Sequence, residues 1–272
     1  QLKDINTEQL IALMVGRDIQ DIYPSIFPHQ NETLLEVNKL CSEDVFQDVS
    51  FEIKKGEILG FAGMMGAGRS EIARAIFGLD KPDGGEILIE GKKCLFKSIK
   101  DAIQSGVAMV TEDRAIYGFV GVRSIKENIK LPNGDLFTKG GFWQSKRIHQ
   151  SVDDICKKLS VKAPNSESLV GNLSGGNQQK VVLAKWLVRN VKLLILDEPT
   201  RGIDVGAKQE IYKLITELAN NGMAILLISS DMPEVLSMSH RVAVIAKGKI
   251  IGTLNKEEAS QDKIMKMIVE AN

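Results

Sequence analysis

A glycine-rich turn, Gly63-Met64-Met65-Gly66-Ala67-Gly68-Arg69-Ser70, lies between an apolar strand-forming run (Glu57 to Phe61) and a helix-forming segment (Glu71 to Phe77). A strand, a tight turn and a helix in that order gather backbone N–H groups on one concave side. The helix adds its free N-terminal amides and positive dipole end. Gly63, Gly66 and Gly68 are expected at positive φ, where the backbone approaches an anion with no side chain in the way. The spacing fits the Walker A phosphate-loop template, with Ser70 in the magnesium-ligand position and Arg69 where the template has Lys. Taken alone, the same turn also fits a strand–helix connection that binds nothing.

The downstream chain supplies what a bound triphosphate needs. Leu193 to Leu196 is a short, fully apolar run, as in a parallel strand covered on both faces. It ends in Asp197-Glu198-Pro199-Thr200, two adjacent carboxylates that are costly at a buried strand end without a cation or polar partner. Asp197 suits magnesium and Glu198 suits an attacking water. Strand Val107 to Val110 ends at Thr111-Glu112-Asp113-Arg114, and strand Ala224 to Ile228 ends at Ser229-Ser230-Asp231. Leu173-Ser174-Gly175-Gly176-Asn177-Gln178-Gln179-Lys180 opens a helix, with Ser174 as its expected cap and two glycines baring the first amides. An ordinary capped helix start is the competing reading of that stretch.

The rest of the chain organises around these motifs. Leu10, Ile11, Met14 and Val15 have helical spacing, Thr7 is a cap and Gly16 a stop. One helix cannot bury its own apolar face, so this segment is expected to belong to a preceding domain. The run from Tyr23 to Asn31 then reads as a linker. A folded domain begins near Thr33, with strands Leu34 to Val37, Val49 to Ile53 and Glu86 to Ile89. From Tyr117 to about Gly171 the character changes to loops around one helix, with Ile148, Val152, Ile155 and Leu159 on a single face. That helical insertion is placed at about 114–185. Phe142 and Trp143, beside Gly140-Gly141, are expected in the core, with an exposed docking patch as the alternative. Strands alternating with helices predict a mainly parallel sheet with ligands at its carboxyl edge.

Composition narrows the partners. The chain has 272 residues, with 35 basic and 35 acidic residues, and a balanced charge gives no global field for nucleic acid or an anionic membrane. Three scattered cysteines, Cys41, Cys94 and Cys156, read as reduced thiols, neither a disulfide frame nor a zinc site. No apolar run approaches the roughly 20 residues that span a bilayer. The expectation is a soluble, cytoplasmic protein whose membrane role comes through a partner.

In this order the motifs resemble the nucleotide-binding domain of ATP-binding cassette (ABC) transporters, from about Thr33 onward. Gly66 to Glu71, the Asn177 variant of the signature, Thr200 to Lys208 and Ser229 to Glu234 are similar to the C-terminal cassette of bacterial monosaccharide importers. The opening helix resembles the tail of a first cassette. Residues 1–30 are then a tail plus linker, and 31–272 the nucleotide-binding domain. The resemblance implies an α/β P-loop NTPase (RecA-like) core with an antiparallel β subdomain, and the cofactors ATP and Mg2+. It implies phosphate contacts along Gly63, Met64, Met65, Gly66, Ala67, Gly68, Arg69, Ser70 and Glu71, with metal ligands Ser70, Glu112 and Asp197. Catalytic positions fall on Glu198, Ser230 and Glu112. Ser174, Gly175 and Gly176 would face a nucleotide held by a second cassette, and Asp204 would lie at the cassette–cassette contact. The implied partners are that cassette, an integral membrane permease and, through it, an extracytoplasmic sugar-binding protein. The chain would then sit on the inner face of the membrane.

Three positions depart from the family pattern. Arg69 exchanges a compact ammonium for a planar fork. Glu112 replaces glutamine and adds negative charge beside the triphosphate, and Ser230 replaces a histidine that touches the γ-phosphate. Phe46 is the nearest aromatic for stacking adenine, but its surroundings read as core. The expectation is a cassette that binds ATP at its own loop, hydrolyses it weakly and lends its signature to a partner. A hydrolysis-inert regulatory module and a non-transport ABC ATPase are the alternatives. Balanced charge and a short insertion argue against the second.

Overall fold

The computed structural model describes residues 23–94, 96 and 98–271. The helix expected at the start of the chain lies outside them. Two sheets share one core. Strands β1 (Thr33–Ser42), β2 (Phe46–Lys54), β4 (Gly84–Ile89) and β5 (Lys92–Cys94) form an antiparallel sheet in the order β2-β1-β4-β5. The second sheet has the order β12-β11-β3-β10-β9-β6. It comprises β3 (Ile58–Gly63), β6 (Val107–Val110), β9 (Leu193–Asp197), β10 (Ala224–Ile228), β11 (Arg241–Ala246) and β12 (Lys249–Asn255). All pairings in it are parallel except the terminal β11–β12 ribbon. This is the α/β architecture expected, with its antiparallel subdomain.

Strands β3, β6 and β10, and β9 up to Leu196, are apolar along their whole length because packed layers cover both faces. Every residue of β9 and β10 is buried. Truncating one such side chain, for example Leu226→Ala, costs about 2–5 kcal/mol. The register brings the strand ends level, with Ile228 beside both Asp197 and Phe61, and Val110 beside Leu196. The loops that leave β3, β6, β9 and β10 therefore open on one edge.

Helix α1 (Arg69–Phe77) follows β3 and ends at Gly78, and α2 (Ile99–Gln104) precedes β6. Beyond a π-helical turn (Arg114–Gly118) come α3 (Ile125–Lys130), α4 (Gly134–Phe137), a small hairpin of β7 (Thr138–Lys139) and β8 (Phe142–Trp143), and α5 (Ser145–Lys158). Ile148, Val152, Ile155 and Leu159 are buried together, as the periodicity predicts. Phe142 and Trp143 are 81% and 49% exposed, against the expectation of core positions. Their hairpin turns on Gly140 and Gly141, and the Trp143 ring rests against Gly134 and Lys130 on the helices behind it.

Helix α6 (Gly175–Leu187) carries the insertion back to the core, and α7 (Val205–Asn220), α8 (Met232–Met238) and α9 (Gln261–Glu270) complete the fold. Phe46 is buried in the main core. The three cysteines are unpaired. The stretch expected as a linker is packed down. The Tyr23 ring lies 5.0 Å from that of Tyr212, and the Phe27 carbonyl accepts from His240 Nε2 at 2.7 Å.

Candidate nucleotide site

The Gly63–Ser70 loop leaves β3 at the open edge. Gly66 and Gly68 adopt φ of 78° and 98°, the left-handed region that glycine enters without strain. Gly63 does not, contrary to expectation. Its reason to be glycine is crowding, since a Cβ there would stand 2.5 Å from the Ile245 carbonyl oxygen. Ala67 N closes the turn on the Met64 carbonyl, and the Ala67 carbonyl accepts from Gly248 N, so the β11–β12 turn braces the loop. Met64 and Met65 are exposed, and Ala67 is buried. Ile72 N bonds the Gly68 carbonyl at 3.0 Å, and helix geometry leaves the amides before it without intrahelical carbonyls.

Asp197 ends β9 beside this loop, 3% exposed, with the Ser70 hydroxyl as a hydrogen-bonding neighbour. Its Oδ1 is buried without a partner. Burial pushes its carboxyl up to about 6, against the bond from Ser70. A hard cation resolves that cost, because a metal ion is the partner an orphaned carboxylate oxygen lacks. Among the described residues no cluster of three His, Cys, Asp or Glu side chains forms a metal cage. Ser70 and Asp197 are a donor set suited to magnesium that also keeps phosphate and water ligands.

Glu198 follows with φ of 50°, a strained value for a glutamate, stabilised as its N–H donates to the Ile228 carbonyl. Ser230 Oγ donates to Glu198 Oε2 at 3.0 Å. Arg69 Nη1 donates to the Ser229 carbonyl at 2.9 Å. The arginine is thus tied across to the loop after β10. Glu112 is ion-paired with Arg201 instead of standing free by the metal position. Arg114 reaches the same turn, donating to the carbonyls of Arg201 at 2.6 Å and Gly202 at 3.1 Å. The loops after β6 and β9 are clasped from both sides.

Glu234 is 1% exposed, and its Oε2 accepts from Thr200 Oγ1 at 3.0 Å and Ser229 Oγ at 2.7 Å. Arg114, Arg201, Thr200, Ser229 and Glu234 were not among the site residues expected from sequence. The charge cluster Glu112-Asp113-Arg114 was the one signal for the clasp, whereas nothing local marks Glu234 as buried.

The Ser174–Gly176 tip lies elsewhere on the surface, at the start of α6. Ser174 occupies the cap position without capping. Its Oγ accepts from Asn177 Nδ2 at 2.8 Å, and Asn177 Oδ1 accepts from Lys162 N at 2.7 Å. That arrangement leaves the serine hydroxyl proton for an outside acceptor. Asp204 caps α7, accepting from Ala207 N at 2.9 Å, and is exposed. A cleft of about 600 Å³ runs from Ser70 and Asp197 between α1 and α6, lined by Phe77, Leu79, Ile99 and Trp186. Trp186 Nε1 is buried there unpartnered, and burial lowers the Lys185 ammonium to about 8.

The ribose import ATP-binding protein RbsA of Oceanobacillus iheyensis is 50% identical over 264 residues, covering 97% of this chain and 53% of that protein. A putative ribose/galactose/methyl galactoside import ATP-binding protein of Geobacillus kaustophilus is 46% identical over 260 residues, covering 96% and 52%. The chain spans about half the length of these curated relatives. Among solved structures, cbiO1 from Clostridium perfringens, part of the ABC transporter complex cbiONQ, superposes with a TM-score of 0.71 at 25% identity, covering 89% of this chain and 94% of that one. An ATP-binding cassette of an ABC transporter in its ADP conformation gives 0.74 at 22% identity, covering 87% and 98%. The ABC transporter family matches residues 46–201, and with the phosphate loop, Asp197-Glu198 and the Ser-Gly-Gly tip in place the chain belongs to that family.

Proposed function

We propose that this chain is an ATP-binding cassette of a bacterial monosaccharide importer, working on the inner face of the membrane beside a permease that receives sugar from an extracytoplasmic binding protein. The observation that carries the reading is the orphaned, buried Asp197 Oδ1, with Ser70 at the head of α1 as its side chain's hydrogen-bonding neighbour. ATP settles its phosphates on the amides of Met65, Gly66, Gly68, Arg69 and Ser70, and Ser70 and Asp197 hold Mg2+, which neutralises phosphate charge when bound. Two cassettes pair head to tail. Ser174 donates to the γ-phosphate of the partner's nucleotide, and Asp204 lies at the contact. The apolar cleft with its unpartnered indole N–H receives the permease.

The cassette's own site is weak in hydrolysis. Arg69 is committed to the Ser229 carbonyl, Glu112 to Arg201, and Glu198 to Ser230, whose hydroxyl lacks the reach of a histidine. Calorimetric titration of the chain with Mg–ATP tests the reading. Saturable binding lost in Asp197→Asn/Ser70→Ala supports it, and no binding at millimolar nucleotide rejects it. In the assembled importer, Ser174→Arg is expected to stop transport while this loop still binds ATP.

A further inference from the structure

Among the described residues, the β7–β8 hairpin is the one place where two large aromatics stand exposed at a tip with no use in nucleotide chemistry. Lys139 pairs with Phe142 and Thr138 with Trp143. Gly140 and Gly141, both at positive φ, make the turn, and a Cβ on either would touch nothing within 4 Å. The tip is therefore free to meet a surface edge-on. Its base is fixed. Gln144 N donates to the Phe137 carbonyl at 2.9 Å, and Lys130 Nζ lies 4.5 Å from the centre of the Trp143 ring.

The charge around the tip has one sign. From Leu136 to Val152 there is no acidic residue. Lys139, Lys146 and Arg147 are exposed and have no ion pair among the described residues, while Asp135 behind the hairpin is taken by Arg189. Exposed aromatics flanked by unpaired cations match the chemistry of an anionic bilayer surface. There, indole and phenyl rings sit at headgroup level and Lys or Arg meets phosphate. A basic cytoplasmic loop of a membrane protein would be repelled by the same cations. Placement agrees: Pro132 and Asp135 share a recess with Lys100 and Ile103 of α2, and Ile99 at the head of α2 lines the cleft assigned above to the permease. Only this last point rests on the proposed function.

We propose that the Thr138–Trp143 hairpin is a membrane-contact element that inserts Phe142 and Trp143 at the headgroup level of anionic lipid, with Lys139, Lys146 and Arg147 on the phosphates. Each cation near such a surface strengthens partitioning about fivefold, and the effect fades within a Debye length. The test is binding of the purified chain to phosphatidylcholine vesicles with and without phosphatidylglycerol. It is read by co-flotation and by tryptophan emission. Trp143 and Trp186 are the two tryptophans and Trp186 is buried, so a blue shift reports Trp143. The expected result is binding and a blue shift with phosphatidylglycerol alone, reversed by high salt. Phe142→Ser should weaken binding about tenfold, and Lys146→Glu/Arg147→Glu should abolish it. Both variants alter exposed positions and should keep wild-type melting and Mg–ATP affinity, which separates this test from that of the nucleotide site. Absence of binding, equal binding to both vesicles, or variants that bind like wild type overturns the proposal. So does loss of permease binding in detergent by Phe142→Ser when vesicles capture none of the chain.

Discussion

Thr200 and Glu234 meet in a buried hydrogen bond of 3.0 Å, and the same carboxylate oxygen accepts from Ser229. One side chain thereby fixes the spacing between the loop carrying Glu198 and the loop carrying Ser230. The Tyr212 hydroxyl is a hydrogen-bonding neighbour of Thr200, and the Tyr23 ring lies 5.0 Å from that of Tyr212, so Tyr23 bears on the same cluster.

Burial raises the Glu234 carboxyl from 4.5 to about 7, against the bonds from Ser229 and Thr200. In this range the unfolded chain ionises while the folded one stays neutral. Wild-type stability contributed by this group is intact below the unfolded value, declines as pH rises through the window, and is level above it. Glu234→Gln keeps an acceptor for both hydroxyls and removes the titration. Its stability relative to wild type should rise by about 3 kcal/mol across the window. Urea denaturation at about pH 4.5 and about pH 8 checks this, and a constant difference would show that the carboxyl titrates normally.

His240 works in the opposite sense. Its Nδ1 accepts from Ile58 N at 3.0 Å, while Nε2 donates to the Phe27 carbonyl, so the folded state holds the neutral ring. Burial lowers its affinity for a proton, against the pull of the Phe27 bond. Stability from this group is complete above the ordinary value of about 6.5 and is lost as pH falls below it, because the unfolded histidine protonates first. His240→Phe should flatten that slope. Melting curves across the range decide, and an unchanged slope would assign it to another group.

Arg201 and Glu112 form an exposed ion pair, so losing it should change stability by less than about 1 kcal/mol. Its effect lies in nucleotide binding. Glu112 lines the cleft with Ser70 and Asp197, so on the proposed site Arg201→Ala would leave an uncompensated carboxylate near the phosphates, repelling free ATP and welcoming Mg–ATP. The ratio of ATP dissociation constants without and with magnesium should rise about fivefold to tenfold, as for one screened charge. Fluorescent-nucleotide titrations measure it, and an unaltered ratio would place Glu112 too far from the site to matter.

Gly176 abuts α7 so closely that an added Cβ would lie 2.5 Å from Ala207 Cβ. Gly176→Ala should destabilise by about 1–3 kcal/mol through overpacking. Adding Ala207→Gly should recover most of the loss, a coupling that a double-mutant cycle resolves. Additive effects would mean the helices part freely.

The parallel core was legible because its strands are short apolar runs bounded by turn residues, and the strand-end motifs then fixed the open edge. Gly66, Gly68, Asp197, Glu198 and Ser230 met there for that reason. What stayed hidden depends on contacts between distant segments. Nothing near Glu234 in sequence says that it is buried, and Arg201 reads as a turn residue until the fold lays it against Glu112. Ser174 followed the cap rule by position but lost its bond to Asn177, a competition between side chains that local pattern does not resolve. Phe142 and Trp143 ran against the burial tendency of aromatics because their hairpin has no layer above it.

The most direct measurement is ATP turnover and affinity of the chain, alone and with a second cassette that supplies a Ser-Gly-Gly tip. The account predicts measurable Mg–ATP affinity with turnover well below about 1 s⁻¹. It also predicts a clear rise when Arg69→Lys, Glu112→Gln and Ser230→His are combined in the presence of the partner. Wild-type turnover at or above that rate, or a triple variant no faster than wild type, would contradict it.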